Sequence, residues 1–373
     1  MKYYIISGEL SGDIHAANLV SELKALDANA SFAFTGGDNL ATITGVQPDI
    51  HIREMAFMGF VDVSKNIGTI RKNFDKVKAA ILAFKPDVLL LVDYPGFNLR
   101  MAKWAFENGI ICDYYISPTV WAWKENRIET IRKYVNRMIV ILPFEEAFYA
   151  NKGMKVWYPG HPLIDELERK KSVFGTKEQF IKKNHLTGKP IIAVLPGSRK
   201  QEIDRMLGIM METVKEFPEY EFVFAGNASL TKDLYAPVKA GGLQLVFDQT
   251  HELMFHASAG VIKSGTSTLE SALLRLPQVV CYKSGALSFA IGKRLVNVKY
   301  ISLPNLILDR PLVKELIQND LTALNIAAEL KKLVKESSHR NAILQGYAEL
   351  HSKLGGTGAS ARAAKWLWED VSK

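Results

Sequence analysis

The chain has 373 residues, of which 48% are hydrophobic, and it carries a formal net charge of +8 at pH 7. The length favours two domains, and without a ~18-residue apolar run or a recognisable signal peptide we expect a cytoplasmic protein. The positive charge indicates an anionic partner, but charge alone does not separate nucleic acid, nucleotide and lipid headgroup.

Short apolar segments alternate with helical ones along the chain, which is typical of parallel sheets covered by helices on both faces. A polar stretch at 169–190 separates two sets of strands, so the predicted fold class is α/β, with two doubly wound Rossmann-like domains facing across a cleft. We expect domains at 1–168 and 169–345, followed by a docked C-terminal helix within 346–373. Cys112 and Cys281 lie in or beside apolar strands, which favours buried free thiols.

The first strand, KYYIIS, leads into SGELSGD, a glycine turn without the GxGxxG spacing of a dinucleotide site. Its carboxylates would repel a diphosphate, but they suit sugar hydroxyls or proton removal. Asp13 is interpreted as the cap of a helix that begins near Ile14. Glu9 is a poor turn residue and costly to bury by half, which favours a functional role, while His15 is a weaker candidate for the cleft.

Residues 58–82 carry an apolar stripe at alternating spacings of three and four, which predicts a helix. Packing of the stripe on the sheet is its commonest meaning. A membrane-facing segment is the alternative, because the cations outnumber Asp62 and Asp75 and suit anionic lipid. The stripe comprises Phe60, Val63, Ile67, Ile70, Phe74, Val77 and Ile81, and the cations are Lys65, Arg71, Lys72, Lys76 and Lys78.

The segment DVLLLVDYPGFN places Asp93 directly after a buried strand and before a proline–glycine turn. Ligands of doubly wound sheets bind beyond the carboxyl ends of the strands, so Asp93 is a functional candidate, with a turn or cap residue as the competing interpretation. In SPTVWAWK, we expect one of Trp121 and Trp123 to fill the core and the other to line a pocket, without deciding which. His161 of GHPLID is interpreted as part of a structural turn.

Two loops in the second half have the composition of phosphate-binding turns. IIAVL ends at PGSR, where the backbone N–H groups of a helix start lie beside the Arg199 guanidinium. In GVIKSGTSTLE, small residues with hydroxyls precede a helix whose first turn carries Glu270, a candidate for a ribose diol. Each loop alone could be an ordinary helix cap, but two in one domain favour a nucleotide diphosphate, with the candidates Gly197, Ser198, Arg199, Ser264, Gly265, Thr266, Ser267 and Thr268.

The eight histidines are scattered, and the sequence has no HExxH and no Asp-x-Asp that could hold a divalent ion on a diphosphate. We therefore expect neither a metal nor a cofactor. Basic residues are not interleaved with aromatics along one segment, and no nucleic-acid motif is recognisable, so no nucleic-acid partner is expected.

The motifs, in their order from residue 7 to about 318, resemble those of the lipid A disaccharide synthases, inverting glycosyltransferases of the two-Rossmann-domain (GT-B) type. LPGSRxxEI and SGTxTLE have looser relatives in other sugar-nucleotide enzymes, whereas SPTVWAWK and SLPN with its following ELIQ are more specific. The matching stretches are SGELSGDIHAANL, MAFMGFVDV, KPDVLLLVDYPGFN, YYISPTVWAWKENRI, ILPFEEAFY, GHPLID, LPGSRKQEI, SGTSTLE and YISLPNLILDRPLVKELIQ.

This resemblance implies transfer of 2,3-diacylglucosamine from its UDP derivative to 2,3-diacylglucosamine 1-phosphate, giving a β-1,6-linked disaccharide and UDP. It implies that Asp93 is the base for the acceptor hydroxyl, that Glu9, Ser11 and His15 lie on the acceptor side, and that Asn305 lies at the cleft. Arg199 and the loop from Ser264 to Thr268 would bind UDP, with Glu270 on the ribose. The final helix would pack on the first domain.

The resemblance also implies peripheral association with the inner face of the inner membrane of a Gram-negative bacterium. A homodimer is left open. Two other classes remain as alternatives. One is a UDP-N-acetylglucosamine 2-epimerase, which shares the architecture and needs no lipid acceptor. The other is a non-catalytic protein that binds a membrane surface.

Overall fold

The computed structural model describes residues 1–55, 67–296 and 298–371. The chain divides into two compact units. Unit 1 comprises Met1–Pro162 together with Gly355–Lys373, and unit 2 comprises Leu163–Leu354. Among the described residues, no helix is both long enough and apolar enough to cross a membrane.

Unit 1 contains a six-stranded parallel sheet in the order β3-β2-β1-β4-β5-β6. Its central strand β4 has the sequence VLLLV and is buried along its whole length, as expected for a parallel strand covered on both faces. The strands are β1 (Lys2–Ser7), β2 (Ser31–Gly36), β3 (Ile50–His51), β4 (Val88–Val92), β5 (Ile111–Tyr115) and β6 (Arg137–Ile139).

Helices connect these strands and cover the sheet. The described helices of this part of the chain are α1 (Leu10–Leu26), α2 (Asp38–Thr44), α3 (Ile67–Phe84), α4 (Pro95–Glu107), α5 (Arg127–Tyr134) and α6 (Glu145–Ala150), with a 3-10 turn at Ile52–Glu54. The next helix, α7 (Pro162–Lys171), starts at the boundary between the units.

Unit 2 repeats the arrangement with strand order β12-β11-β10-β7-β8-β9. Its strands are β7 (Ile191–Leu195), β8 (Glu221–Gly226), β9 (Gln244–Phe247), β10 (Ala259–Lys263), β11 (Gln278–Tyr282) and β12 (Glu315–Ile317). Its helices are α8 (Lys177–Lys183), α9 (Lys200–Glu212), α10 (Ala236–Ala240), α11 (Thr250–His256), α12 (Thr266–Leu273), α13 (Ala286–Leu295), α14 (Leu303–Leu308), α15 (Ala323–Leu333) and α16 (Ser338–Lys353). The 3-10 turns are Thr213–Glu216, Lys232–Tyr235 and Gln318–Asp320.

The last helix, α17 (Ala359–Val371), returns to unit 1 and packs on α1. Ala363, Ala364 and Leu367 of this helix join the buried core formed by α1 and the sheet. The Arg137 guanidinium, paired with the buried Asp113, also donates to the carbonyl of Leu367 at 3.2 Å. A cation near the carboxyl end of a helix is favourable, because it interacts with the negative end of the helix dipole.

Both sheets have the Rossmann strand order, in which strands are added first to one side and then to the other of the pair formed by the first and fourth strands of the unit. The predicted α/β fold class with two doubly wound Rossmann-like domains is therefore confirmed. The register pairs Ser7 with Val92 in unit 1, and Leu195 with Ile262 in unit 2. Each switch point thus brings two of the predicted functional loops side by side, which is where ligands of such sheets bind.

Candidate active site

Glu9 and Asp93 follow neighbouring strands of unit 1, and their carboxylates interact. Asp93 is half-buried. Burial and the Glu9 carboxylate together raise the pKa of Asp93 from 3.8 to about 6, while the backbone N–H of Tyr94 opposes the shift. A carboxylate whose pKa is raised in this way is a stronger base than a solvated one and is still ionised at neutral pH.

The turn that carries Asp93 is strained. Asp93 and Tyr94 both have left-handed backbone conformations, with φ of 47° and 49°, which residues with a Cβ adopt at a cost. Hydrogen bonds hold this conformation: the Asp93 N–H donates to the carbonyl of Tyr115 at 3.0 Å. The Asp93 carbonyl accepts from the Tyr114 hydroxyl at 2.5 Å and from the Asn98 amide at 2.8 Å. The surrounding fold therefore fixes the position of the carboxylate.

Two residues beside this turn, Asn98 and Gly8, have structural roles that the sequence analysis did not identify. The Asn98 amide also donates to the carbonyl of Val92 at 3.2 Å, which ties the end of β4 to α4. A Cβ on Gly8 would lie 2.3 Å from the Tyr94 ring, so the glycine of SGE lets Tyr94 pack on the end of β1. Gly8 and Tyr94 stand in the quoted motifs SGE and DYPGFN. Their contact depends on the register of β1 and β4, which the sequence alone does not show.

The remaining predicted residues of the opening motif differ in environment. Ser11 is exposed in the first turn of α1, whereas His15 is buried. The prediction that Asp13 caps a helix starting near Ile14 is wrong, because α1 begins at Leu10 with Glu9 as its N-cap. The buried Asp13 carboxylate instead accepts from the N–H groups of Gly37 (2.6 Å) and Asn39 (3.0 Å), and so caps α2 through space.

His161 and the two tryptophans lie in unit 1. His161 is buried, and burial, with a smaller effect from His15, lowers its pKa to about 3, so it is neutral at physiological pH. Trp121 is half-buried and meets the Phe144 ring edge-on at 5.0 Å. Trp123 is 37% exposed, and the Lys124 ammonium lies 4.3 Å from its ring centroid. The assignment of one tryptophan to a pocket stays a prediction.

At the switch point of unit 2 lies a cavity of about 510 Å³. Apart from Leu195, polar and small residues at or after the ends of four strands line it: Gly197, Ser198, Arg199, Ala225, Gly226, Asn227, Asp248, Thr250, Lys263, Gly265, Thr266 and Ser267. Gly197 has φ of 126°, a conformation that favours glycine, and a Cβ there would lie 2.6 Å from the Glu202 carboxylate. Both predicted phosphate loops therefore line one cavity.

Two helices begin at this cavity. Arg199 is the N-cap of α9, and its side chain is 63% exposed. Gly265 is the N-cap of α12, with Thr266 and Ser267 as its first residues. The N–H groups of a first turn have no intrahelical partners, so two such termini and a guanidinium suit a diphosphate.

Three predicted residues use their polar groups inside the protein. Ser264 donates its hydroxyl to the Ile301 carbonyl at 2.8 Å, and the buried Thr268 donates to the Gly265 carbonyl at 2.8 Å. The Asn305 amide is buried between the Val313 backbone and the Glu315 carboxylate, both at 2.9 Å. These contacts stabilise the surrounding loops, and none of the three side chains lines the cavity of unit 2, while their roles in binding stay predictions.

Glu270 is the fifth of the eight residues of α12, so the prediction that it lies in the first turn of that helix is wrong. Its carboxylate is 3.5 Å from the Nε2 atom of His251, whose Nδ1 atom is 3.3 Å from the Lys170 ammonium. Lys170 in turn donates to Glu166 at 2.5 Å. These contacts fix the position of the Glu270 carboxylate. The assignment of Glu270 to the ribose stays a prediction.

Sequence reasoning missed several residues of the cavity. Lys263 ends β10 and pairs with Glu202 at 2.7 Å. Asn227 donates to the Ser198 carbonyl at 3.0 Å and so supports the PGSR loop. Asp248 and Thr250 follow β9. All four residues lie at the end of a strand of unit 2 or shortly after it. The order of apolar segments in the sequence could have indicated these positions.

Solved structures of the same fold include a UDP-GlcNAc 2-epimerase from Neisseria meningitidis bound to UDP-GlcNAc, with TM-score 0.64, 15% identity and full coverage of both chains. The calicheamicin glycosyltransferase CalG4 has TM-score 0.58 and 15% identity over 100% of this chain and 98% of its own. At these identities the likeness shows the fold alone, so it does not favour an epimerase over a transferase.

Sequence relatives are more informative. Proteins named lipid-A-disaccharide synthase from Geobacter sulfurreducens and Syntrophus aciditrophicus are 36% and 38% identical, over 99% and 96% of this chain and 97% and 95% of their own. The protein of that name from Coxiella burnetii is 34% identical over 97% of this chain and 96% of its own. The family profile described as lipid-A-disaccharide synthetase matches residues 3–365. This chain is therefore a glycosyltransferase that belongs to the lipid-A-disaccharide synthetase family.

Proposed function

We propose that the chain transfers 2,3-diacylglucosamine from UDP-2,3-diacylglucosamine to the 6-hydroxyl of 2,3-diacylglucosamine 1-phosphate, forming a β-1,6-linked disaccharide and UDP. Family membership supports a UDP-sugar donor and a glycolipid 1-phosphate acceptor. The observation that carries the assignment of roles is the pair of switch-point sites. One presents a raised-pKa carboxylate, and the other presents helix N-termini beside an arginine.

The chemistry is a single displacement. The acceptor oxygen forms a bond to the anomeric carbon as the bond from that carbon to the β-phosphate oxygen breaks, and the electron pair leaves with UDP. Asp93 takes the hydroxyl proton, and Glu9 keeps the pKa of Asp93 raised, as the interaction between the two carboxylates supports. Negative charge grows on the departing diphosphate, where Arg199 and the first N–H groups of α9 and α12 stabilise it.

Activity should fall with the ionised fraction of Asp93 on the acid side, so the acid limb of kcat/KM should lie near pH 6. Replacing Glu9 with glutamine removes a negative neighbour that raises the pKa of Asp93. The acid limb of Glu9→Gln should therefore move to lower pH. The measurement is the pH profile of both proteins. The control is Glu146→Gln, because Glu146 is an exposed carboxylate of unit 1 that is not among the groups shifting the pKa of Asp93. If the acid limb of Glu9→Gln stays at the pH of the unsubstituted protein, Glu9 does not influence the pKa of the catalytic base.

We further propose that α3 seats the chain on the inner surface of the inner membrane. Three side chains of the predicted stripe, Phe74, Val77 and Ile81, pack against the sheet of unit 1, which matches the commonest meaning of such a stripe. Arg71, Lys72 and Lys76, by contrast, are exposed on the same helix. Phe60, Val63, Lys65 and the rest of 56–66 lie outside the described residues. Exposed cations on a helix suit anionic lipid, and both substrates carry acyl chains.

Replacing Arg71, Lys72 and Lys76 with serine should lower binding to vesicles that contain phosphatidylglycerol, as should added salt, while UDP affinity stays unchanged. Co-sedimentation with vesicles measures this. The matched control replaces Lys177, Lys182 and Lys215, which are also exposed, and removes the same charge. Equal losses in the two triple variants would indicate general attraction and no specific role for α3.

The function itself is tested by UDP release. The protein should release UDP from UDP-2,3-diacylglucosamine only when 2,3-diacylglucosamine 1-phosphate is added, and it should leave UDP-N-acetylglucosamine unchanged. Epimerised UDP-N-acetylglucosamine would support the epimerase alternative, and UDP release that is no faster with the acceptor than without it would contradict transfer to that acceptor.

A further inference from the structure

We propose that Lys263 is a second side-chain cation of the diphosphate site, binding the phosphates directly and stabilising them as UDP departs. This inference rests on the proposed function, since it takes the cavity of unit 2 as the UDP site.

The position of Lys263 follows from the sheet. It is the last residue of β10, one position beyond Ile262, which pairs with Leu195 at the end of β7. The lysine therefore emerges beside the PGSR loop and lines the same cavity. Its ammonium lies 3.7 Å from where a Cβ on Gly265 would be, next to the N-terminus of α12.

Lysine in this environment is unusual in two respects. Its side chain is only 18% exposed, although lysines are rarely this buried without a partner. It also lies beside a helix N-terminus, where the macrodipole disfavours a cation and favours an anion. A bound anion at this point removes the conflict.

The carboxylate of Glu202 supplies part of the missing negative charge. It lies 2.7 Å from the Lys263 ammonium and 3.8 Å from the Arg199 guanidinium, and it accepts from the Ser198 N–H at 3.1 Å. One carboxylate thus interacts with both cations and with a backbone N–H of the PGSR loop. Asp248 also lines the cavity, so two carboxylates balance the two cations, and the attraction for an anion comes from the N-termini of α9 and α12. A nucleoside diphosphate bound at these N-termini lies within reach of the Lys263 ammonium, which is next to the start of α12.

The contact should matter more in the transition state than before it. As the anomeric carbon–oxygen bond breaks, its electron pair passes to the β-phosphate, whose negative charge increases. The Lys263 side chain is largely buried, so its pre-positioned ammonium stabilises that increase without reorganising. Lys263 would then contribute to turnover as well as to UDP affinity.

The test compares UDP with uridine, which shares the base and ribose but has no phosphate. Calorimetry with Lys263→Met should show UDP binding weakened roughly 10- to 150-fold, the range for a hydrogen bond to a charged group, and uridine binding unchanged. Lys263→Arg should keep most of the affinity, and kcat should fall in Lys263→Met. Lys200→Met is the matched control, because Lys200 is 67% exposed and pairs with Asp204 outside the cavity.

Loss of Lys263 leaves Glu202 with an unmatched charge, so the comparison is repeated in a Glu202→Gln background. If Lys263 binds phosphate, its replacement weakens UDP in both backgrounds. Unchanged UDP affinity there, or equal weakening of UDP and uridine, would overturn the inference while leaving the UDP site in place. Failure of the unsubstituted protein to bind UDP would instead overturn the proposed function.

Discussion

Asp93→Asn should lower kcat by roughly two to four orders of magnitude, the range usual for a general base, while UDP affinity stays unchanged. The amide has nearly the same shape but cannot accept the hydroxyl proton. The bonds that hold the turn involve the backbone of Asp93, so they survive the change. Steady-state kinetics with saturating donor and acceptor measure the effect.

Stability provides the control. Because folding raises the pKa of Asp93 from 3.8 to about 6, the folded state disfavours its ionised form, and this unfavourable contribution develops as pH rises through that range. Asp93→Asn removes it, so the melting temperature at pH 8 should equal or exceed that of the unsubstituted protein. A variant that is at least as stable and retains a tenth or more of kcat would remove Asp93 from the role of base.

Arg199→Ala should weaken UDP binding by about 1.5–3 kcal/mol, the range for a hydrogen bond to a charged group, or roughly 10- to 150-fold in Kd. The reason is its place at the start of α9, where its guanidinium lines the cavity and interacts with Glu202 from 3.8 Å. Calorimetric titration with UDP measures the loss.

Arg205→Ala is the matched control, since Arg205 lies on the same helix but donates to the Gln201 carbonyl and does not line the cavity. It should bind UDP as the unsubstituted protein does. Unchanged affinity in Arg199→Ala would place the diphosphate elsewhere, and equal losses in the two variants would indicate a general effect of charge.

Local sequence signals predicted the parts of the molecule that depend on neighbours in the chain. Apolar runs such as VLLLV and IIAVL identified central strands, because parallel strands are buried on both faces. The same reasoning located Asp93 and Arg199 at strand ends. Alternating strands and helices then determined the fold class, since few topologies satisfy right-handed crossovers.

What the sequence could not predict depends on contacts between distant segments. Asn305 and Thr268 look like cleft residues by motif and type, but their polar groups bond to backbone and to Glu315. Asp13 has the composition of a cap, yet it caps a helix 25 residues further on. Lys263 was missed because its significance comes from Glu202, 61 residues earlier in the chain.

The structure of the product tests the central claim most directly. The protein should convert UDP-2,3-diacylglucosamine and 2,3-diacylglucosamine 1-phosphate into one disaccharide with one UDP released per linkage. Proton NMR of that disaccharide should show the large anomeric coupling of a β-sugar, joined at the 6-position of the acceptor. An α-linkage would contradict a single displacement with Asp93 as base, and a UDP-sugar recovered with inverted C2 and no disaccharide would contradict the transferase itself.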